Sequence, residues 1–122
     1  FRRFIMQAQA NIIAQWHDVC HVDDLVTNSG VCALIGEVQV AIFSVQLDGE
    51  VNLYAISNWD PIGEANVLSR GIVGTLADKI VVASPLYKEH YDLDSGACLE
   101  RDDISVNTYP VRVEQDRVLI EL

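Results

Sequence analysis

The 122-residue sequence is poor in basic residues, in histidine and in cysteine. Eight lysines and arginines stand against 18 aspartates and glutamates, which gives a formal net charge of −10 at pH 7. A chain of this charge repels phosphate backbones and anionic lipids, and it has no basic stripe that would track either. No apolar run approaches the roughly 20 residues that span a bilayer, and no signal-peptide core is present. We therefore expect no nucleic-acid binding, no membrane association and a cytoplasmic location.

Motifs for independent chemistry are also missing. The three cysteines, Cys20, Cys32 and Cys98, form no CxxC pair, and their odd number suits reduced cytosolic thiols. The sequence contains no nucleophile motif and no glycine-rich phosphate loop. An acid–base pair of His90 with Asp60 or Asp92 would rest on residue type alone. We expect no catalysis by this chain on its own.

The periodicity of the apolar residues divides the chain into two parts. Residues 1–15 form an N-terminal extension in which Phe4, Ile5, Ala8, Ile12 and Ile13 recur at helical spacing, so a short helix is predicted. Residues 16–122 form one β domain with short strands separated by turn-forming residues. The predicted strands are residues 31–35, 38–46, 51–56, 79–83, 90–93, 105–113 and 117–122. Residues 63–78, with three glycines, are predicted to be a long ordered loop.

His17, Cys20 and His21 are the one group whose spacing suggests a metal site. In an extended segment His17 and His21 face one side and Cys20 the other, so the three side chains do not converge on one ion. We expect structural or solvated histidines here.

Two loops, residues 57–63 and 83–87, precede the run at residues 91–96 and resemble the two ligand loops of a Rieske iron–sulfur domain. In a Rieske centre two thiolates and two imidazoles hold a [2Fe-2S] cluster, the first loop carrying Cys-x-His and the second Cys-x-x-His. In this sequence those four positions hold Asp60, Ile62, Ser84 and Tyr87. None of these side chains supplies a thiolate or an imidazole. We expect no cluster and no metal in this chain.

The resemblance covers roughly residues 16–122 and narrows to one cluster-free branch. The segments that carry it are residues 30–34, 39–43, 54–58, 67–71, 82–86 and 94–100. In this order they are similar to the small subunit of the cytoplasmic NADH-dependent nitrite reductase, which serves nitrate assimilation. The resemblance implies an all-β fold, a Rieske-like antiparallel sandwich or barrel. It also implies a large-subunit partner that carries FAD, sirohaem and an iron–sulfur cluster and reduces nitrite to ammonium. This chain would dock on that subunit or stabilise it.

The tips of the two loops are the predicted contact surface for the partner. Its residues are Trp59, Asp60, Ile62, Leu86 and Tyr87. An apolar patch with a charged rim is typical of a protein–protein contact. Alternatively, these side chains pack against one another and fill the space that a cluster would take.

Arg70 is the lone cation between Arg3 and Lys79. Its favoured role is an internal ion pair with a carboxylate such as Asp60, and the alternative is a contact with a partner or an anionic ligand.

Two other functions stay open at this point. One is a Rieske-type electron-transfer ferredoxin of an oxygenase with an unorthodox ligand set. The other is a cluster-free adaptor whose partner is unrelated to nitrogen metabolism.

Overall fold

The computed structural model of the protein describes residues 15–122. The helix predicted at residues 4–14 lies outside the described residues, so that prediction and the division of the chain at residue 15 stay predictions.

The described residues form twelve β-strands and two short 3₁₀ helices. The strands are β1 Trp16–His21, β2 Ser29–Ile35, β3 Val38–Leu47, β4 Glu50–Ser57, β5 Trp59–Asp60, β6 Ala65–Asn66, β7 Ile72–Leu76, β8 Lys79–Ala83, β9 His90–Asp92, β10 Thr108–Tyr109, β11 Val111–Glu114 and β12 Arg117–Glu121. The 3₁₀ helices are Val22–Asp24 and Leu68–Arg70. Neither helix is long or apolar enough to cross a membrane.

The strands form four antiparallel sheets. Their strand orders are β10-β4-β3-β2, β1-β12-β11, β7-β8-β9 and the two-stranded β5-β6. The prediction of an all-β antiparallel fold is therefore confirmed.

Strand β3 lies at the centre of the packing, because both of its faces are buried. Every residue from 40 to 45 is at most 6% exposed. Ala41, Phe43 and Val45 join the larger core cluster, which also holds residues of β4, β8 and β9. Val40 and Ile42 point to the other face and join a second cluster, which includes Ile120 of β12. The sheet that contains β3 is thus the middle layer, with the β7-β8-β9 sheet on one face and the β1-β12-β11 sheet on the other.

Three of the hairpins are closed by two-residue turns whose residues both have positive φ. These turns are Asp48–Gly49, Ala77–Asp78 and Gln115–Asp116. Two successive positive φ angles define the type I′ turn, whose twist matches that of the flanking strands.

The predicted long loop at residues 63–78 is wrong in part, since it contains β6, the second 3₁₀ helix and all of β7. Ala77 and Asp78 close the β7–β8 hairpin at φ values of 53° and 63°, which these residue types rarely adopt. Neither residue forms the Asn-Gly or Asp-Gly pair that marks such a turn in a sequence, so this hairpin was not predicted. Strand β1 was also not predicted.

The single strand predicted at residues 105–113 is divided. Strand β10 pairs with β4 and β11 pairs with β12, so the chain passes from one sheet to another between them. Pro110 stands at the crossing, where its missing N–H removes a donor from either ladder.

Two strand glycines offer a matched test of this packing. A β-carbon at Gly30 would lie 2.6 Å from Phe43 Cε1 and 2.7 Å from the Ser69 carbonyl oxygen, whereas one at Gly74 would meet nothing within 4 Å. We expect Gly30→Ala to lower the free energy of unfolding by about 1–3 kcal/mol, because the methyl group overpacks the core. Gly74→Ala is expected to leave it within about 0.5 kcal/mol. Urea unfolding of both variants checks this, and equal effects would contradict the close approach at Gly30.

Candidate functional site at the paired loops

The candidate site lies where two loops meet at one end of the domain. The first loop, residues 58–64, follows β4 and contains β5. The second loop, residues 84–89, joins β8 to β9. These loops carry Asp60, Ile62, Ser84 and Tyr87, the four positions predicted from the resemblance to correspond to Rieske ligands.

The first loop is folded around the side chain of Asp60. Asp60 Oδ1 accepts hydrogen bonds from the backbone N–H of Ile62 at 2.9 Å and of Gly63 at 3.1 Å. The Glu64 N–H donates to the Asp60 carbonyl oxygen at 2.7 Å. Pro61 favours the turn because its ring fixes φ. The Asp-Pro-Ile-Gly sequence therefore determines the conformation of this loop.

The second loop closes on Ser84 in a similar way. The Ser84 N–H donates to the Glu89 carbonyl oxygen at 2.9 Å, and the Lys88 N–H donates to the Ser84 carbonyl oxygen at 3.0 Å. Ser84 Oγ accepts from the Leu86 N–H at 3.3 Å.

The Asp60 carboxylate joins the two loops to each other and to the core. Ser84 Oγ donates a short hydrogen bond to Asp60 Oδ2, and Tyr91 Oη donates to Asp60 Oδ1 at 3.0 Å. Asp60 and Ser84 are each 1% exposed, and Tyr91 of β9 is fully buried. We call these three side chains the Asp60 bridge.

The hydrogen bonds of the Asp60 bridge stabilise an ionised carboxylate. Burial acts to raise the pKa of Asp60, but the hydrogen bonds from Ser84, Gly63, Tyr91 and Ile62 outweigh it and hold the pKa below its ordinary value of 3.8. Burial, the hydrogen bond to Asp60 and the charge of that carboxylate raise the pKa of Tyr91 far above 10.0. Asp60 is therefore ionised at neutral pH, and the Tyr91 hydroxyl keeps its proton and donates.

The loops also pack directly on one another. A β-carbon at Gly63 would collide with Leu86 Cδ1 and would lie 3.1 Å from Asp60 Oδ2. At the base of the first loop, Asn58 Oδ1 accepts from the Ser69 N–H at 2.7 Å and its carbonyl oxygen accepts from the Leu68 N–H at 3.1 Å. The second 3₁₀ helix is thus attached to the first loop.

The residues at the four ligand positions do not fit an iron–sulfur cluster. They supply no thiolate and no imidazole, which a Rieske centre needs. The side chains at the two thiolate positions, Asp60 and Ser84, are hydrogen-bonded directly to each other, so no space is left between them for an iron ion. Within residues 15–122 no three His, Cys, Asp or Glu side chains are grouped so that they could hold a metal.

The five residues predicted to form the contact surface divide into exposed and buried members. Trp59 is 44% exposed, Leu86 45% and Tyr87 65%. Ile62 is partly buried and packs against the larger core cluster. Asp60 is 1% exposed, so its inclusion in an exposed contact surface is corrected. We call Trp59, Leu86 and Tyr87 the loop-tip surface.

Arg70 does not form the predicted internal pair. It is exposed at the end of the second 3₁₀ helix, and among the described residues it makes no ion pair. The carboxylate of Asp60 is occupied by Ser84, Tyr91 and backbone N–H groups instead.

His21 and His90 have structural partners among the described residues. His21 Nδ1 accepts from the Asp23 N–H at 3.0 Å and caps the first 3₁₀ helix. His90 Nδ1 lies 2.6 Å from Glu100 Oε2, so its acidic neighbour is neither Asp60 nor Asp92. His17 and Cys20 lie on β1, whose pairing with β12 shifts register between Asp18 and Cys20.

Sequence reasoning missed Tyr91 as a partner of Asp60. The two residues are 31 positions apart, and no local pattern links them. The contact between Asp60 and Ser84 did have a signal, because the two thiolate positions of a Rieske centre bind the same iron and so face each other.

The fold and the paired loops define a class of protein. The family model of the Rieske-like [2Fe-2S] domain matches residues 15–121 of the chain.

Curated relatives and solved structures identify one group within the Rieske-like family. The NADH nitrite reductase small subunit of Escherichia coli K12 is 44% identical over 102 residues, which are 84% of this chain and 93% of that protein. The NMR structure of the E. coli protein NirD has a TM-score of 0.79 at 41% identity and covers 90% of this chain and 98% of that one. The chain therefore belongs to the Rieske-like family and, within it, to the small subunits of NADH-dependent nitrite reductase.

One relative carries the same domain in a much longer chain. The nitrite reductase [NAD(P)H] large subunit of Klebsiella oxytoca is 36% identical over 105 residues, which are 86% of this chain but 11% of that protein.

The misfit at the ligand positions predicts that the chain takes up no [2Fe-2S] cluster. Anaerobic incubation of the purified protein with ferrous iron and sulfide, followed by desalting, should leave no bound iron and no visible absorption. A Rieske ferredoxin treated in parallel is the positive control. One cluster per chain would contradict the misfit of these residues to an iron–sulfur centre.

The lowered pKa of Asp60 predicts a loss of stability in acid. Because the folded-state pKa lies below the unfolded one, the stabilisation is present above about pH 4 and is lost as the pH falls through the folded-state pKa. At pH 7 we expect Asp60→Asn to lower the free energy of unfolding by about 1.5–3 kcal/mol, because it weakens hydrogen bonds to a charged group. Urea unfolding between pH 7 and pH 2 should show this difference narrowing in acid. A difference that does not vary with pH would contradict an ionised Asp60.

Proposed function

We propose that this chain is the accessory small subunit of a cytoplasmic NADH-dependent nitrite reductase and docks on the large subunit through its loop-tip surface. The observation that carries the proposal is the exposure of Trp59, Leu86 and Tyr87 on two loops that the Asp60 bridge holds together. Arg70, exposed and beside the first loop, is a further contact for a carboxylate of the partner.

The chemistry of the loop-tip surface suits a protein partner. Aromatic side chains supply much of the binding energy at protein interfaces, and those on rigid loops lose little entropy on binding. The net charge of −10 favours a basic face on the large subunit, since complementary charge accelerates association and selects the partner.

The Klebsiella oxytoca relative supports the choice of partner. In that protein a domain similar to this chain is part of the large-subunit polypeptide. A covalent link supplies a high effective concentration, whereas separate chains depend on a contact surface to stay together. The exposed loop-tip surface meets that need.

We infer that every redox group of the enzyme lies on the large subunit. FAD, sirohaem and an iron–sulfur cluster there would carry electrons from NADH to nitrite. This chain would supply none of these groups and would act by stabilising the partner or by shaping the path between its redox centres. The ferredoxin alternative is disfavoured because the four ligand positions do not fit a cluster.

Removal of the two aromatic rings tests the surface. We expect Trp59→Ala combined with Tyr87→Ala to weaken association with the large subunit by about 10- to 100-fold, since truncation of an interface aromatic costs about 1–2 kcal/mol or more. Isothermal titration calorimetry with the purified large subunit measures the change.

A surface control comes from Val51, which is 59% exposed at the start of β4. It lies six residues, or about 20 Å along the strand, from the end of β4 where the first loop follows. Val51→Ser should leave the affinity unchanged. Equal weakening by both changes, or full affinity in the double variant, would overturn the assignment of the interface to the loop tips.

A further inference from the structure

The Rieske-like family implies a metal centre at the paired loops, and the residues present there do not fit one. A centre with two ligands from each loop would also be a cross-link between the loops. In this chain the side chains at the two thiolate positions touch each other instead. Without a metal, the two loops need another interaction to hold them together.

We propose that the Asp60 bridge takes over the mechanical role of the cluster: one buried carboxylate cross-links the two loops and anchors both to the core. The cross-link would operate whichever partner the loop-tip surface contacts.

The number of donors supports this role. An ionised carboxylate offers about four acceptor positions. Asp60 receives two backbone N–H groups from its own loop, the Ser84 hydroxyl from the other loop and the Tyr91 hydroxyl from β9. Within residues 15–122 no cation pairs with it. A buried charge without a counter-ion is costly unless hydrogen bonds compensate it, so each of these four donors helps to keep the carboxylate ionised and buried.

The anchor to the core comes through Tyr91. Its ring is fully buried in the larger core cluster together with Phe43, Ile56 and Leu93. Its hydroxyl reaches the carboxylate from β9, the strand that follows the second loop. The bridge therefore connects three segments that are separated by 24 and 31 positions in sequence from Asp60.

A cross-link differs from two self-contained turns in one measurable respect: a change in either loop also loosens the other loop. Removing Ser84 Oγ should loosen the first loop, and altering Asp60 should loosen the second. Native-state hydrogen exchange on the whole protein resolves both loops by amide. The Glu64 and Gly63 amides report on the first loop, and the Ser84 and Lys88 amides report on the second.

We expect Ser84→Ala to raise the opening constant at Glu64 and Gly63 by about ten- to a hundredfold, and Asp60→Asn to do the same at Ser84 and Lys88. The range follows from hydrogen bonds to a charged group, with tenfold for each 1.4 kcal/mol. Core amides of β3 should keep their exchange rates.

Asp92→Asn is the matched control. Asp92 is also a buried carboxylate, at 6% exposure, but its partners lie outside the two loops and include Lys79 at 3.6 Å, the Asp94 N–H at 2.9 Å and Ser95. This variant should leave the exchange of both loops unchanged. If each substitution at Asp60 or Ser84 affects only its own loop, the cross-link is refuted.

Tyr91→Phe keeps the test decisive if Asp60→Asn does not fold, because it removes one hydroxyl and leaves the packed ring. We expect faster exchange in both loops for this variant. Unchanged exchange in the first loop would refute the anchor to the core.

Discussion

The Asp60 carboxylate is the interaction on which the arrangement of the candidate site depends. It sets the turn of its own loop through two backbone N–H groups, joins the second loop through Ser84 and reaches the core through Tyr91. The charge is tolerated at 1% exposure because four hydrogen bonds, three to Oδ1 and one to Oδ2, compensate for the hydration that it loses. An iron ion bound by two thiolates would join the two loops through the metal. In this chain the hydrogen bond between Asp60 and Ser84 joins them directly.

The chain has the Rieske-like fold, but its paired loops do not fit the [2Fe-2S] cluster with which that fold is associated. The chain belongs to the Rieske-like family, while the four predicted ligand positions hold Asp60, Ile62, Ser84 and Tyr87. The outer side chains of the loops, Trp59, Leu86 and Tyr87, remain in solvent. Fold and function are separable, because the same loop arrangement can be held by hydrogen bonds to a carboxylate instead of by bonds to a metal.

The sequence predicted the strands and the position of the loops better than it predicted the contacts between them. Strand β8 was predicted at its observed limits, residues 79–83, because a β-branched run is bounded by turn residues. Strand β7 was missed because the turn at Ala77 and Asp78 has no glycine or asparagine to signal its positive φ angles.

Contacts over long sequence distances account for the other errors. The partners of Asp60 lie 24 and 31 residues away. The internal ion pair favoured for Arg70, with a carboxylate such as Asp60, rested on charge alone. Charge complementarity does not reveal that hydroxyl and backbone donors already fill a site. The resemblance to Rieske domains held more information about Asp60 than its residue type did, since two thiolate positions that bind one iron lie close together, but the contact with Ser84 was not predicted from it.

The most direct test of the central claim is NADH-dependent nitrite reduction by the large subunit, measured with and without this chain while the iron content of the chain is determined in the same preparation. We expect the iron-free small chain to raise the activity or to preserve it over time. Activity that is the same with and without the chain, or that requires iron bound to it, would contradict an accessory, non-redox subunit.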